Sequence, residues 1–365
     1  MAKKTIIHLI DSLEIGGAEI LLKNSVNLLP EYTHIVVTLH GPHDLKAAFN
    51  SDVRFYCLDF TGAASFFLSY LKLRRILIQE RAILIHSHLF YSNIFARFAI
   101  PRAIPIVSTL HSVYGRDLFE HSRIALWIER LSLRKRHLII AISNTVLNDY
   151  LRWVPFEGKS LVVYNFLPDS YFHQEIHRTN DTTLLRCVAV GGIKKLKNYH
   201  YLLQAFSMFQ NENIFLDIYG DGPLKEDIQQ IVTHNKLKNV RLCGTIDSTS
   251  SLLPQYDLFL QASKHEGYSL TLMEAMAIGL PTLVSDIPAF REVSEGNAHF
   301  FSLNNVADLI TKLLELKKDL SLRYKYCDIA KKVAFKNGSE KAYLKKVREI
   351  YSTLSAQDES ELTVV

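Results

Sequence analysis

Two carboxylates, Glu266 and Glu274, stand eight positions apart in the stretch 265–281, HEGYSLTLMEAMAIGLP. Gly267 and Tyr268 suit a turn, Ser269 is a capping candidate, and residues 270–278 are apolar at helical spacing until Gly279 and Pro281 stop the run. A loop feeding a helix is the expected local structure. A helix N-terminus presents unpaired N–H groups and a partial positive charge, so the amides of Tyr268, Ser269 and Leu270 could cradle a phosphate without a metal. Neither acid would bind that phosphate, because like charges repel, but each could accept hydrogen bonds from hydroxyls on either side of it. A blander arrangement explains the same residues: a capping box from Thr271 to Glu274, with Glu266 a solvated loop acid.

Three other groups carry chemical potential. Gly191, Gly192, Lys194, Lys195 and Lys197 follow an apolar run at 185–190, and lysines on a glycine turn can set ammonium charge against a diphosphate; a solvated basic loop is the competing reading. Gly16 and Gly17 follow a run at 5–10 and open an amphipathic stretch, which is the layout of a ligand-facing loop or simply of a tight turn. Their spacing is not the GxGxxG of a dinucleotide-binding dehydrogenase. His88 and His111 each end an apolar run, where a hydrogen-bonded surface histidine is the ordinary outcome. The four cysteines and fifteen histidines show no metal-ligand spacing, and no DxD pair ends a strand, so no metal or other cofactor is expected.

These residues need a scaffold that brings them to one edge. β-Branched runs at 5–10, 35–38, 55–58, 82–85, 106–110, 138–142 and 161–163 alternate with helix-compatible segments, as in a parallel sheet covered on both faces. A polar stretch at 173–183 reads as a linker. A second alternation follows, with strands at 185–190, 215–219, 240–242, 258–261 and 281–284 and helices at 199–209, 224–234 and 248–255; from 306 onward only helices are expected, ending in a frayed tail at 357–365. In such sheets ligands gather at the carboxyl ends of the strands.

The chain has 365 residues, enough for two domains, and a net charge of +5 that is unevenly placed. Up to Asn165 there are 19 Lys and Arg against 13 Asp and Glu, and beyond it 23 against 24. The basic half favours an anionic partner; with no accompanying motif, nucleic acid is not expected. Residues 63–81 set Phe66, Phe67, Tyr70 and Leu71 beside Lys72, Arg74 and Arg75, and 116–137 set Trp127 among further basic residues. That pattern suits an anionic membrane surface, or else core-facing helices with solvated basic edges. Asp11 interrupts the first apolar run too early for a signal peptide, and no run approaches the ~18 residues of a membrane span. A cytoplasmic chain, peripheral on the inner face of the membrane if it meets one, is the expectation.

The stretch 266–274 resembles the E-x7-E signature of the retaining glycosyltransferases of family 4. That likeness implies the α/β GT-B fold, two Rossmann-like parallel-sheet domains facing each other across a cleft, with an acceptor domain at 1–168, a donor domain at 169–338 and a C-terminal helix at 339–365 crossing back. It implies metal-free transfer of a hexose, with retention, from a UDP- or GDP-sugar to a glycan or lipid-linked acceptor in surface polysaccharide or glycolipid synthesis. By resemblance Gly16, Gly17, Gly192, Lys194, Lys197, Gly267, Tyr268, Ser269 and Leu270 meet the donor phosphates, Glu266 the sugar hydroxyls and Glu274 the ribose. Ile246, after Gly244, lies along the base, His111 positions the sugar and His88 lines the acceptor side. The chain departs from the pattern in one place: Gly192 stands where many members have arginine, with Lys194 the nearest substitute. A sugar-nucleotide epimerase of the same fold and a non-catalytic nucleotide-sugar binder are the rival readings.

Overall fold

The computed structural model describes residues 3–361 except 175, 177, 210, 211 and 247. The chain divides into two compact units, Met1–Asn165 with Lys341–Val365, and Phe166–Glu340. In unit 1, β1 (Thr5–Ile10), β2 (Thr33–Thr38), β3 (Arg54–Cys57), β4 (Ala82–His88), β5 (Ile106–Leu110), β6 (Leu138–Ala141) and β7 (Ser160–Val162) make one sheet. Its order is β3-β2-β1-β4-β5-β6-β7, and every neighbouring pair is parallel. The helices between are α1 (Gly17–Asn27), α2 (Phe66–Glu80), α3 (Phe90–Ala99), α4 (Arg123–Ser132) and α5 (Asn144–Trp153). Because helices cover both faces, the central strands are apolar without alternation: Ile6, Ile7, Leu9 and Ile10 of β1 are all fully buried.

Unit 2 repeats the plan. Strands β8 (Leu185–Val190), β9 (Ile214–Tyr219), β10 (Val240–Gly244), β11 (Leu258–Gln261), β12 (Thr282–Ser285) and β13 (His299–Phe301) lie in the order β10-β9-β8-β11-β12-β13, all parallel. They alternate with α6 (Tyr199–Phe206), α7 (Lys225–His234), α8 (Thr249–Leu252), α9 (Leu270–Ala277) and α10 (Pro288–Ser294), and then come α11 (Val306–Lys318), α12 (Leu320–Tyr324) and α13 (Cys327–Gly338). The core joins Leu185, Cys187 and Ala189 of β8 to Leu202, Phe206 and Leu313 on the helices. β13 is not evident in the sequence, being three residues long behind a Gly-Asn turn.

The last helix, α14 (Glu340–Glu361), packs on unit 1, where Tyr343 OH lies 2.9 Å from Ser25 Oγ and Tyr351 OH 2.7 Å from His86 Nδ1. The helix runs through most of the tail expected to fray, which is a correction to the sequence expectation; residues 362–365 lie outside the described range.

Two reversals of strand order matter for function. In each unit the first strand has its second and third strands on one side and the fourth on the other, so the order reverses between β1 and β4 and between β8 and β11. At such a point the connections leave in opposite directions and open a crevice at the carboxyl ends of the two strands.

Candidate functional site

In unit 2 the loops after β8 and β11 flank the reversal. The loop after β8 turns at Gly191, whose φ of +148° lies in the region that favours glycine. It is backed by the turn after β9: a Cβ on Gly220 would sit 2.1 Å from Gly191 O, and one on Gly222 2.7 Å from Ile193 O. Only glycine permits that approach. Ile193 N donates to Asp221 O (2.8 Å), so the two turns form one layer. The β11 loop is tied on from the other side by Lys264 N donating to Leu196 O (2.8 Å).

Within this layer Lys197 and Glu266 meet across the reversal, Nζ donating to Oε1 at 2.8 Å, with their side chains 18 % and 11 % exposed. Glu266 Oε1 also accepts from Ser263 Oγ (2.7 Å) and Gln261 Nε2 (3.0 Å). Gln261 is held in turn by Ser269, which donates to its Oε1 (2.9 Å) while capping α9 through Leu272 N (3.3 Å). Lys197, Ser263 and Gln261 all meet Glu266 at Oε1. Glu266 is thus neither a solvated acid nor an isolated one; its cationic partner is another residue assigned to the same site. Gln261 and Ser263 are not singled out by sequence reasoning, although a glutamine closing an otherwise apolar strand is the signal that could have found them.

Glu274 lies on α9, and with Ser269 as the N-cap it sits two positions beyond the slot a capping box would require. The capping-box reading therefore fails. Its Oε2 accepts instead from Thr249 Oγ1 (2.8 Å) on α8, with the Tyr171 hydroxyl hydrogen-bonded to that same threonine oxygen (2.8 Å) and to the carboxylate. Burial pushes the Glu274 carboxyl up to about 7, while hydrogen bonds from Thr249 and Tyr171 pull it the other way. Between its ordinary value of 4.5 and about 7, the folded chain holds a proton that the unfolded chain has released. Stability from this group is therefore full below about 4.5 and is lost as pH rises toward 7, by on the order of 3 kcal/mol. Urea denaturation of Glu274→Gln against the parent from pH 4 to 8 is expected to show that slope removed; an unchanged slope would assign it elsewhere.

The remaining unit 2 assignments follow β8, β10 and β11. Tyr268 is buried, with its hydroxyl 3.1 Å from Met273 Sδ, so only its backbone is placed to serve a ligand. Gly267 precedes it in the loop, and Leu270 opens α9. Lys194 is exposed, and a Cβ on Gly192 would lie 3.5 Å from its Cε, so the lysine stem passes over the position from which an arginine at 192 would start. Ile246 is half-buried just past β10, two residues after Gly244 at φ +78°.

In unit 1 the other reversal carries Gly16, Gly17 and His88. Gly16 is the N-cap of α1 in extended backbone that any residue adopts. A Cβ at position 16 would lie 2.4 Å from Glu19 Oε2, the end of a side chain that can shift aside. His88 is buried and its Nδ1 lies 3.2 Å from His111 Nε2. Burial holds His111 down to about 4, so it is neutral at physiological pH.

Comparison with known proteins follows this division. The family model Glycosyltransferase Family 4 matches residues 15–171, and Glycosyl transferases group 1 matches 185–319. The O-antigen biosynthesis glycosyltransferase WclY of Escherichia coli is 26% identical over 230 residues, 59% of this chain and 63% of WclY, so the chain spans less than two thirds of that relative's length. N-acetyl-alpha-D-glucosaminyl L-malate synthase of Bacillus anthracis is 22% identical over 79% of each chain. Among solved structures, Anabaena HepE in complex with UDP and glucose aligns with a TM-score of 0.81 at 16% identity, covering 96% of this chain and all of HepE.

Proposed function

We propose that this chain, which belongs to glycosyltransferase family 4 and has the GT-B fold, transfers a hexose from a UDP- or GDP-sugar to a glycan or lipid-linked acceptor, retaining the anomeric configuration without a metal. The observation that supports the reading is the Lys197–Glu266 pair at the strand-order reversal of unit 2, with Glu266 Oε1 also held by Ser263 and Gln261. Lys197, Lys194 and the amides at the start of α9 would hold the charge growing on the departing diphosphate. Glu266 Oε2 accepts a sugar hydroxyl, Glu274 accepts from the ribose and Ile246 lies along the base. In unit 1, Gly16, Gly17, His111 and His88 keep the roles that resemblance gives them, the first three toward the donor and His88 toward the acceptor. HepE, a structural neighbour, is seen with UDP and glucose, which supports the donor class.

Product analysis tests the reading. With nucleotide-sugar alone, an epimerase releases an altered nucleotide-sugar, whereas a transferase needs an acceptor and releases nucleoside diphosphate. Acceptor-dependent release of UDP or GDP is the expected result, and nucleotide binding without release in any acceptor mixture would leave a binder.

A lipid-linked acceptor would require a membrane-facing surface, and exposed apolar residues of unit 1 would suit one. On α2 the inward face is Leu73, Ile76 and Leu77, while Phe67, Leu68, Leu71 and Ile78 are exposed beside Lys72 and Arg75. On α4 the outward stripe is Arg123, Ile124, Trp127, Arg130 and Leu131, with Trp127 63% exposed and Arg134 exposed just past the helix end. Helix α3, packed between them, adds Tyr91 and Phe98. Core burial explains the inner faces only; apolar outer faces edged by arginine are complementary to an anionic lipid surface. No helix among the described residues is long and apolar enough to cross a membrane. At low salt the chain is expected to co-sediment with vesicles containing anionic phospholipid and not with purely zwitterionic ones. Ile124→Ser with Trp127→Ser should weaken this about tenfold or more, taking ~1.5 kcal/mol for one buried large side chain; binding that is equal for both vesicle types would end the proposal.

A further inference from the structure

Unit 1 gathers histidines that the sequence scatters. His8 on β1 pairs in register with His86 on β4, and His88 lies two residues further along β4, so all three side chains leave the same face of the sheet. Each is at least 95 % buried. Their rings are close, with centroids 4.2 Å apart for His86 and His88, 5.8 Å for His8 and His86 and 6.0 Å for His8 and His88. One nitrogen from each can be chosen so that all three atoms lie within 4.8 Å of one another.

Hydrogen bonding settles where the lone pair of His8 is. His34 Nε2 lies 2.9 Å from Leu29 O, which only accepts, so the proton of a neutral His34 is on Nε2. Its Nδ1 must then accept, and the donor is His8 Nε2 at 3.0 Å. The lone pair of His8 is left on Nδ1, which is buried and has no hydrogen-bond partner among the described residues. His88 Nε2 is in the same condition. Its other nitrogen is held by His111. The nitrogens of His86 face Tyr351 OH and Thr109 Oγ1, each at 2.7 Å. Unpaired buried polar atoms are rare, and two within one histidine cluster need a reason.

We propose that His8, His86 and His88 form a binding site for one divalent transition-metal ion of the zinc class. Three imidazoles are a donor set that such ions accept, and a ligating histidine characteristically has its other ring nitrogen held by a second group. Here His34 and His111 hold His8 and His88, and His86 exchanges one hydroxyl partner for the metal while keeping the other. Burial keeps all three rings neutral, with His86 held down to about 3, so no proton has to be displaced near neutral pH. Zinc–nitrogen bonds of about 2.0–2.1 Å place donor atoms roughly 3.4 Å apart, so the rings close in by about an ångström on binding. The site joins β1 to β4 beneath Tyr351 of α14, and its role is structural. It stands whether or not the chain transfers sugar, but it competes for His88 with the acceptor-side assignment.

The test uses the full chain, stripped with a chelator and titrated with Zn²⁺ and Co²⁺. About one equivalent of tightly held metal, a visible Co²⁺ absorption band of a low-coordinate site and a Zn²⁺-dependent rise in Tm are expected. His8→Leu should abolish the band. Should that variant not fold, X-ray absorption of the zinc-loaded parent decides, with three imidazoles in the first shell expected. No binding near one equivalent, a band unchanged in folded His8→Leu, or a first shell without imidazole would overturn the site.

Discussion

Lys197→Ala is expected to lower turnover by about 10²–10³-fold, the usual consequence of losing one contact to charge that develops at the transition state. The fold should survive the change. Lys197 lies on the surface layer of unit 2, and Glu266 keeps Ser263 and Gln261 when the ammonium goes. What is lost is the ammonium that reaches Glu266 from the β8 loop, and with it charge proposed to face a departing diphosphate. Glu266→Gln tests the same pair from the other end. It preserves shape while weakening both the grip on Lys197 and acceptance of a sugar hydroxyl at Oε2. Because the two residues act as a unit, the double variant should lose much less than the product of the single losses. Arginine is not an equivalent replacement, since the lysine stem passes 3.2 Å from where a Cβ on Gly191 would stand, and a forked guanidinium is bulkier there. Steady-state turnover at saturating donor, with nucleotide binding measured by calorimetry, separates catalysis from affinity. Near-normal turnover in Lys197→Ala would remove that residue from the mechanism.

Much of the scaffold is legible in the sequence for a physical reason. A strand buried on both faces must be apolar throughout, so runs such as 5–10, 106–110 and 185–190 announce themselves, and helices between them fix a parallel sheet. The acids of the candidate site stand out by their spacing, but spacing leaves a capping box equally open and only the resemblance to the E-x7-E signature favours a site. The groups that aim them are not legible. Ser263 and Gln261 direct Glu266, and Thr249 with Tyr171 directs Glu274, across sequence separations that no local pattern records. The histidine trio escapes for the same reason: motif spacing describes ligands on one segment, whereas His8 meets His86 only because β1 lies beside β4. Outer faces are legible only as a pair of alternatives. The residues of 116–137 suit either a membrane surface or a core-facing helix, and burial shows that Ile124 and Trp127 are exposed.

That exposed face is fixed from beneath by a buried ion pair, and breaking it should have the largest effect on stability. Arg97 on α3 donates through Nη1 to Glu129 Oε1 on α4 (2.6 Å), with side chains 0% and 1% exposed. Tyr150 on α5 donates to the same oxygen, so three helices converge on one carboxylate. Glu129→Ala leaves a guanidinium buried without a counter-charge and should destabilise unit 1 by about 3–5 kcal/mol. Arg97→Met combined with Glu129→Leu should recover most of that loss, because desolvating two charges offsets much of what their attraction contributes. The chain's two tryptophans, Trp127 on α4 and Trp153 at the end of α5, report on this region in urea titrations. A single variant within about 1 kcal/mol of the parent, the range of an exposed pair, would show the cluster to be solvated. If instead the loss is as large as expected, vesicle binding should fall in Glu129→Ala although Glu129 never reaches the surface, since Ile124 and Trp127 depend on α4 being held in place.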